Sequence, residues 1–536
     1  MIPRTRSLRT WLGFGLLAAA LTGLSPTPDV LHTVRPLAIQ HNGRYKPFDT
    51  YAREVLDSLS GSPQVGRQDP VATVLAIAAE PERWQDEPLL SVPFIPLREA
   101  IGLDRKTGHV SYNHLVGTRK LMRMLPAIVE KQQRDEKLTM LEQETMDLYE
   151  RFVTFNGLLQ QDLMMVPPAT GAADRTWTSI RQSPPLQATW TAFVTALQGS
   201  DAEALRQAAG RLAAELHAVN PSAYPVSWRL QLEVFYNHLH PFRIAQLLYL
   251  AAAVAFLLAI TKGRQPHGLA RGLLWTAFLT HVSGIALRVI LGGRPPVSNF
   301  YETTLWLPLV AVVLALVLDR IYRASWLGLS AGLLAALALV IADHLPLDPS
   351  ISPVVAVLRS NLWLTIHVLT IVASYGALAL ATVLAHLYGI LFLRQAPSAT
   401  RNDLELYLYR TIQVGVVLLA SGIMLGAVWA NQSWGRYWGW DPKETWALIT
   451  LLWFLAALHG RFAGWLKGIG LALSTVSGFF LLLMTYYGVS FYLVGLHSYA
   501  GGHAKPLPPA LIAYVVAELA FIATVSLAAT RRPASA

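Results

Sequence analysis

The chain has 536 residues, 53% of them hydrophobic and only 14% charged, a balance that excludes an ordinary soluble enzyme and fits a polytopic membrane protein. It has no cysteine, which excludes disulfide bridges, thiolate metal sites and any C-x-x-C redox role within the chain. The formal net charge of +10 falls in short loops between apolar runs, so it reads as membrane topology and gives no reason to expect a nucleic-acid partner.

Residues 1–25 place Arg4, Arg6 and Arg9 ahead of an apolar run from Trp11 to Leu24. That is the layout of a signal peptide, although without a clean small-x-small cleavage site an uncleaved anchor fits equally. Either way, the polar region after it is expected outside the cytoplasm. Residues 26–240 are of ordinary polarity and open with "PLAIQHNGRYKPFDTYAREVLDSLSG". Helical stretches such as "VATVLAIAAEPERW" and "LTMLEQETMDLYERFVTFNGLL" come next, with proline breaks at Pro167–Pro168 and Pro184–Pro185. The region reads as a mostly helical extracytoplasmic domain, a docking or spacing module without a catalytic constellation.

From residue 241 to 532 apolar runs long enough to cross a bilayer recur. Nine spans are expected, near 243–261, 270–291, 302–322, 326–342, 361–393, 411–430, 443–465, 468–494 and 509–530, making an all-α polytopic bundle. The connections "TKGRQPHGLAR", "DRIYRAS", "LRQAPSATRNDLELYLYR", "HGRFAGWLK" and "RRPASA" carry most of the Arg and Lys. By the positive-inside rule they are cytoplasmic, and the alternate loops face outward, in accord with an outward first domain.

One outward stretch, "NQSWGRYWGWDPKETWALIT" (residues 431–450), gathers Trp434, Trp438, Trp440 and Trp446 with Tyr437. An aromatic belt at the membrane interface explains some of these rings, and Asp441-Pro442-Lys443-Glu444 is a good helix start by itself. Neither explains the density of rings or the glycines between them. Indoles offer apolar faces and N–H donors, which suits a large planar ligand with polar edges. His367, in "NLWLTIHVLTIVASYG", and His497, in "FYLVGLHSYAGG", are expected at the same membrane face. Paired neutral imidazoles beside an aromatic platform make an axial pair for haem iron. His459, in "LLWFLAALHGRF", is expected near the cytoplasmic surface, either as an interfacial residue or as a ligand for haem entering from inside. His281 and His386 lie within spans and are adequately explained by polar contacts between helices.

The ending "WDPKETWA" resembles the tryptophan-rich (WWD) signature of haem-handling proteins, in the form of the CcsA/ResC family of system II cytochrome c biogenesis. "PPVSNFYET", "IHVLTIVASYG", "LHGRF" and "GLHSYAGG" are similar to further motifs of that family in the same order, over roughly residues 240–530. "YNHLHPF" is similar to the segment ahead of the spans in longer members. The resemblance implies that haem b is held at the outer face by His367 and His497. It implies a cradle in the loop 431–445 from Trp434, Gly435, Tyr437, Trp438, Trp440, Asp441 and Trp446, and an inner haem station at His459. It implies a separate CcsB/ResB-like membrane partner and an apocytochrome c whose C-x-x-C-H thiols add across the haem vinyl groups. The chain would then be a subunit of a holocytochrome c synthase in the cytoplasmic membrane. A transporter of haem or another planar solute, with joining done elsewhere, is the alternative. A bis-histidine electron-transfer cytochrome b would need histidine pairs at matched depths on facing spans, and only the outer pair matches.

Overall fold

The computed structural model describes residues 28–171, 176–199, 201–262, 267–345, 347–353, 362–497 and 507–531. The leader expected over residues 1–25 lies outside these, as do residues 498–502 of the "GLHSYAGG" motif. The chain divides into two compact units, Met1–Leu239 and His240–Ala536.

The first unit is helical with two short antiparallel strand pairs. Strands β1 (Ala38–His41) and β2 (Arg44–Pro47) pair antiparallel through Asn42 and Gly43, whose φ values of 50° and 71° suit the tight hairpin turn that Asn-Gly favours. Strands β3 (Leu90–Ser91) and β4 (His109–Val110) form the second pair. Helix α1 is Phe48–Ser60, and α2, Pro70–Ala79, is capped by Asp69, whose carboxylate accepts from the N–H groups of Val71 and Ala72. Helix α3, Met140–Leu159, opens on a Thr139/Glu142 capping box. The Pro184–Pro185 break is the first turn of α4, Pro184–Gln198, where missing N–H groups cost nothing. Helices α5 (Ala202–Val219) and α6 (Ser227–Leu239) follow, and further helices, of which Lys120–Gln133 is the longest, fill the rest of the unit. Phe48, Leu75, Leu148, Phe155, Phe193 and Leu212 anchor one continuous core.

Two sequence motifs meet in this unit. Glu233 on α6, 4% exposed, accepts from Arg44 Nη1 at 2.7 Å, Arg44 Nη2 at 2.6 Å and Thr50 Oγ1 at 2.8 Å. Fully buried Asp49 on α1 accepts from Arg35 Nη1 at 2.6 Å, Arg53 Nε at 2.9 Å and Asn237 Nδ2 at 3.0 Å. Burial opposes ionisation of Asp49, but Arg53, Asn237 and His238 together hold its carboxyl below the usual range. Thus "GRYKPFDTYARE" and "EVFYNHL" are joined by charges that are satisfied inside the fold.

In the second unit, among the described residues, nine helices are long and apolar enough to cross a membrane. The first runs through α7 (Pro241–Lys262). The others are α8 (His267–Gly292), α9 (Phe300–Tyr322), α10 (Ser325–His344), α11 (Leu362–Leu393), α12 (Ser398–Trp434), α13 (Pro442–Phe462), α14 (Ile469–Leu483) and α15 (Pro509–Arg531). Seven of the nine expected spans agree with these to within a few residues wherever their ends are described, and the span expected over 468–494 runs on from α14 through a π-helical turn to Tyr492. Helix α12 differs. Its 37 residues extend about 55 Å at about 1.5 Å per residue, and it begins inside a stretch expected to be a loop. The charges of "SATRNDLELYLYR" hide a helical stripe, since Leu404, Tyr407, Leu408, Thr411 and Ile412 are all buried. Glu405 on this extension pairs with Arg461 at 3.0 Å.

Close packing of α11 on α12 positions the site. A Cβ on Gly415 would lie 2.6 Å from Leu378, and one on Gly422 would lie 2.8 Å from Ile371, so only glycine lets the two helices approach this closely. The remaining intramembrane histidines have partners on neighbouring helices. Tyr249 Oη lies 3.3 Å from His281 Nδ1, and Glu518 Oε2 lies 2.8 Å from His386 Nε2.

Candidate functional site

The tryptophan stretch begins as helix. Helix α12 continues through Trp434 and is capped by Gly435, whose φ of 72° is left-handed and whose N–H donates to Asn431 O at 2.9 Å. The loop ends at Asp441, the N-cap of α13. Its Oδ2 accepts from the Lys443 N–H at 3.0 Å, while Glu444 turns back to accept from the N–H groups of Asp441 (3.2 Å) and Gly439 (2.8 Å). The capping reading of "DPKE" therefore holds, but the cap has a second task.

Asp441 is 6% exposed, and its other contacts come from the far end of the unit. Oδ1 accepts from the Leu496 N–H at 2.7 Å, and Oδ2 accepts from His497 Nδ1 at 2.9 Å. Gly495 permits this approach, because a Cβ there would stand 2.5 Å from Oδ1. Burial works against the Asp441 charge, yet the bonds from His497, Lys443 and Leu496 hold its carboxyl below the usual range. An ionised Asp441 can only accept, so His497 carries a proton on Nδ1, and the neutral form of the ring presents Nε2 as a lone pair.

His367 arrives from α11 in the same state. Its Nδ1 lies 2.8 Å from Gly422 O, a carbonyl that can only accept, so Nε2 again holds the lone pair. The ring lies against Gly426, where a Cβ would stand 2.6 Å from its Cε1. Trp429 links the two imidazoles. Its ring lies 6.4 Å from His367 at an interplanar angle of 9°, and 6.2 Å from His497. Trp434 stands 4.6 Å from Trp429 and 5.7 Å from His497. His367, His497, Asp441 and Trp434, distant in sequence, are thus brought together at one end of the bundle.

The other expected residues are placed differently. Trp438 and Trp440 pair edge to face at 5.8 Å, and Trp440 is 71% exposed with an unusual φ of 58°. Tyr437 is also exposed, and Trp446 is half-buried in the second turn of α13. Of these rings Tyr437 and Trp440 are the exposed ones, while Trp438 and Trp446 are half-buried. His459 is not part of the cluster. It sits seventeen residues along α13 from Pro442, about 25 Å away, on the exposed apolar face that carries Leu452. Sequence reasoning missed Trp429 and Lys443. A lone Trp inside an apolar run reads as lipid-facing, and a Lys after Asp-Pro reads as a helix start. Continuing the helix through Asn431 would have set Trp429 about a turn and a half from Trp434.

Nine helices long and apolar enough to cross a membrane among the described residues, with two imidazoles set beside an indole near one end, define an integral membrane protein. Residues 297–497, which span the whole cluster, match the family described as Cytochrome C assembly protein. The cytochrome c biogenesis protein CcsA of Synechococcus sp. (strain CC9605) is 35% identical over 289 residues, covering 47% of this chain and 93% of that protein. CcsA of Prochlorococcus marinus (strain NATL1A) is 33% identical over 48% of this chain and 92% of its own length. Protein NrfI of Wolinella succinogenes is 31% identical over 512 residues, 87% of this chain. That is more than the second unit contains, so the similarity reaches into the first. The chain spans about half of NrfI, 54% of its length. The chain belongs to the cytochrome c assembly family.

Proposed function

We propose that the chain is the CcsA/ResC-type subunit of a system II holocytochrome c synthase. The observation that carries this is the shared geometry of His367 and His497, each anchored through Nδ1 beside the one indole of Trp429. Haem is the substrate, held between these imidazoles on the extracytoplasmic face with Trp429 and Trp434 as its wall. Tyr437, Trp438 and Trp440 supply the open rim where a second protein has access.

The C-x-x-C-H thiols of an apocytochrome add across the haem vinyl groups at that rim, S to carbon and H to the neighbouring carbon, with no leaving group. The chain contributes orientation and exclusion of water. The histidine of the C-x-x-C-H segment replaces one imidazole, which releases the product. His459 serves an inner station, where a CcsB/ResB-like partner supplies the second ligand; its exposed apolar surroundings support contact with another chain or with haem in transit. The first unit lies on the extracytoplasmic side, in keeping with the basic loops opposite.

The test is holocytochrome c accumulation in cells that carry His367→Ala or His497→Ala. Each is expected to leave little product, with added imidazole restoring part of it. Unchanged levels in both variants reject the assignment. Maturation of a C-x-x-C-H peptide by purified chain and partner alone separates synthase from a transporter that only delivers haem.

A further inference from the structure

Among the described residues, two hydrogen-bond donors of the cluster lack a charged or full set of acceptors. Lys443 occupies the second position of α13, at the positive end of the helix dipole, where a cation is electrostatically misplaced. Its ammonium donates to the neutral Ser490 Oγ at 2.7 Å, and Ser490 itself donates to Tyr486 O at 2.8 Å. Among the described residues Lys443 makes no ion pair within 4.0 Å. The nearby acids are already committed. Asp441 is held by Leu496, His497 and the Lys443 backbone, and Glu444 by Gly439 and Asp441. Lys443 is nevertheless close enough to act electrostatically on His367.

A second donor stands beside the same imidazole. Trp429 is 4% exposed, its ring is walled by His367, His497 and Trp434, and its buried Nε1–H has no hydrogen-bond partner among the described residues. An unpaired buried N–H is costly, and an under-paired cation at a helix N-terminus is costlier. Both point the same way: Asp441 acts on Lys443 electrostatically without pairing with it, and the two donors have room for a further acceptor.

We propose that Lys443 and the Trp429 indole N–H form an anion-binding edge of the cradle that takes a carboxylate of the planar guest. Haem has two propionate side chains on one edge of the ring. A carboxylate at Lys443 therefore fixes which edge of the macrocycle is buried and leaves the opposite, vinyl-bearing edge toward the rim. The indole and imidazole faces alone recognise flatness; the lysine adds recognition of charge. This inference rests on the haem reading above.

The test uses full-length chain purified in detergent, titrated with haem and with haem dimethyl ester, which lacks the carboxylates. Wild type is expected to bind haem roughly 10–100-fold more tightly than the ester, the worth of a charge-assisted hydrogen bond. Lys443→Met is expected to abolish that preference by weakening haem alone, and Lys443→Arg to retain most of it. Trp429→Phe, which keeps the ring and removes the N–H, is expected to narrow the preference while ester binding holds. Equal affinity of wild type for haem and ester, or an undiminished preference in Lys443→Met, overturns the proposal while leaving the haem reading intact. Failure of wild type to bind either compound overturns both.

Discussion

His497 Nδ1 donates to Asp441 Oδ2 at 2.9 Å, so the residue that starts α13 also sets the tautomer of an imidazole 56 positions later. One carboxylate thereby couples the start of α13 to the orientation of the His497 imidazole. Asp441→Asn removes the charge and can turn an amide N–H toward the ring. Orienting partners of this kind are worth roughly 10–100-fold in ligand affinity, and haem affinity measured by titration is expected to fall by that much. The loop remains capped, because Asn also caps helices well.

The same carboxylate gives a pH dependence with a definite sign. Its folded pKa lies below the ordinary value, so its contribution is complete above the unfolded value of about 3.9 and is lost as pH falls through the lower, folded one. The Asp441 contribution to tryptophan fluorescence is expected to be flat from neutral pH to about pH 4 and to change only below that. A difference between wild type and Asp441→Asn that titrates near pH 6 would assign the switch to another group.

Gly426 is where the α11–α12 contact and the site are one feature. A methyl there meets His367 Cε1 at 2.6 Å and Nδ1 at 2.9 Å, so Gly426→Ala displaces the ring from Gly422 O. Overpacking of this kind costs about 1–3 kcal/mol. Holocytochrome yield in Gly426→Ala is expected to approach that of His367→Ala, with the protein still present in membranes by immunoblot.

Much of this is legible in the sequence alone. The spans are set by apolar runs between basic loops, and "DPKE" announces the start of α13. His367 and His497 can be set at one face because their spans end there. The features that are not legible depend on side chains meeting across helices. The charges at Arg401, Asp403 and Glu405 conceal a buried stripe that is only apparent once the turn is wound. Trp429 looks like any aromatic residue near a span end, and only the stacking of His367 on it reveals its position. The Asn42–Gly43 turn is a hairpin signal with little alternating pattern around it, so a mostly helical reading passes over it.

His386 and Glu518 offer a test away from the site. Buried residues on α15 are Glu518 and Val525, and Phe521 packs 4.8 Å from the His386 ring. Glu518→Ala leaves an imidazole without its partner inside the bundle, whereas the double variant with His386→Ala removes both groups. The single change is expected to lower thermal stability in detergent by about 1–2 kcal/mol, and the double variant to recover part of it.

In the first unit, Glu233→Ala strands Arg44, whose side chain is only 16% exposed. Removing one member of a buried pair costs about 3–5 kcal/mol. Protease-sensitive sites are expected to open between residues 38 and 60 in membranes that retain an intact second unit.

The most direct measurement is the optical spectrum of the purified full-length chain with haem. The expected spectrum is low-spin and six-coordinate, persisting with its partner present. Removing either His367 or His497 is expected to convert it to a five-coordinate form that added imidazole restores. Haem that binds with an unaltered low-spin spectrum after both histidines are replaced would contradict ligation by this pair.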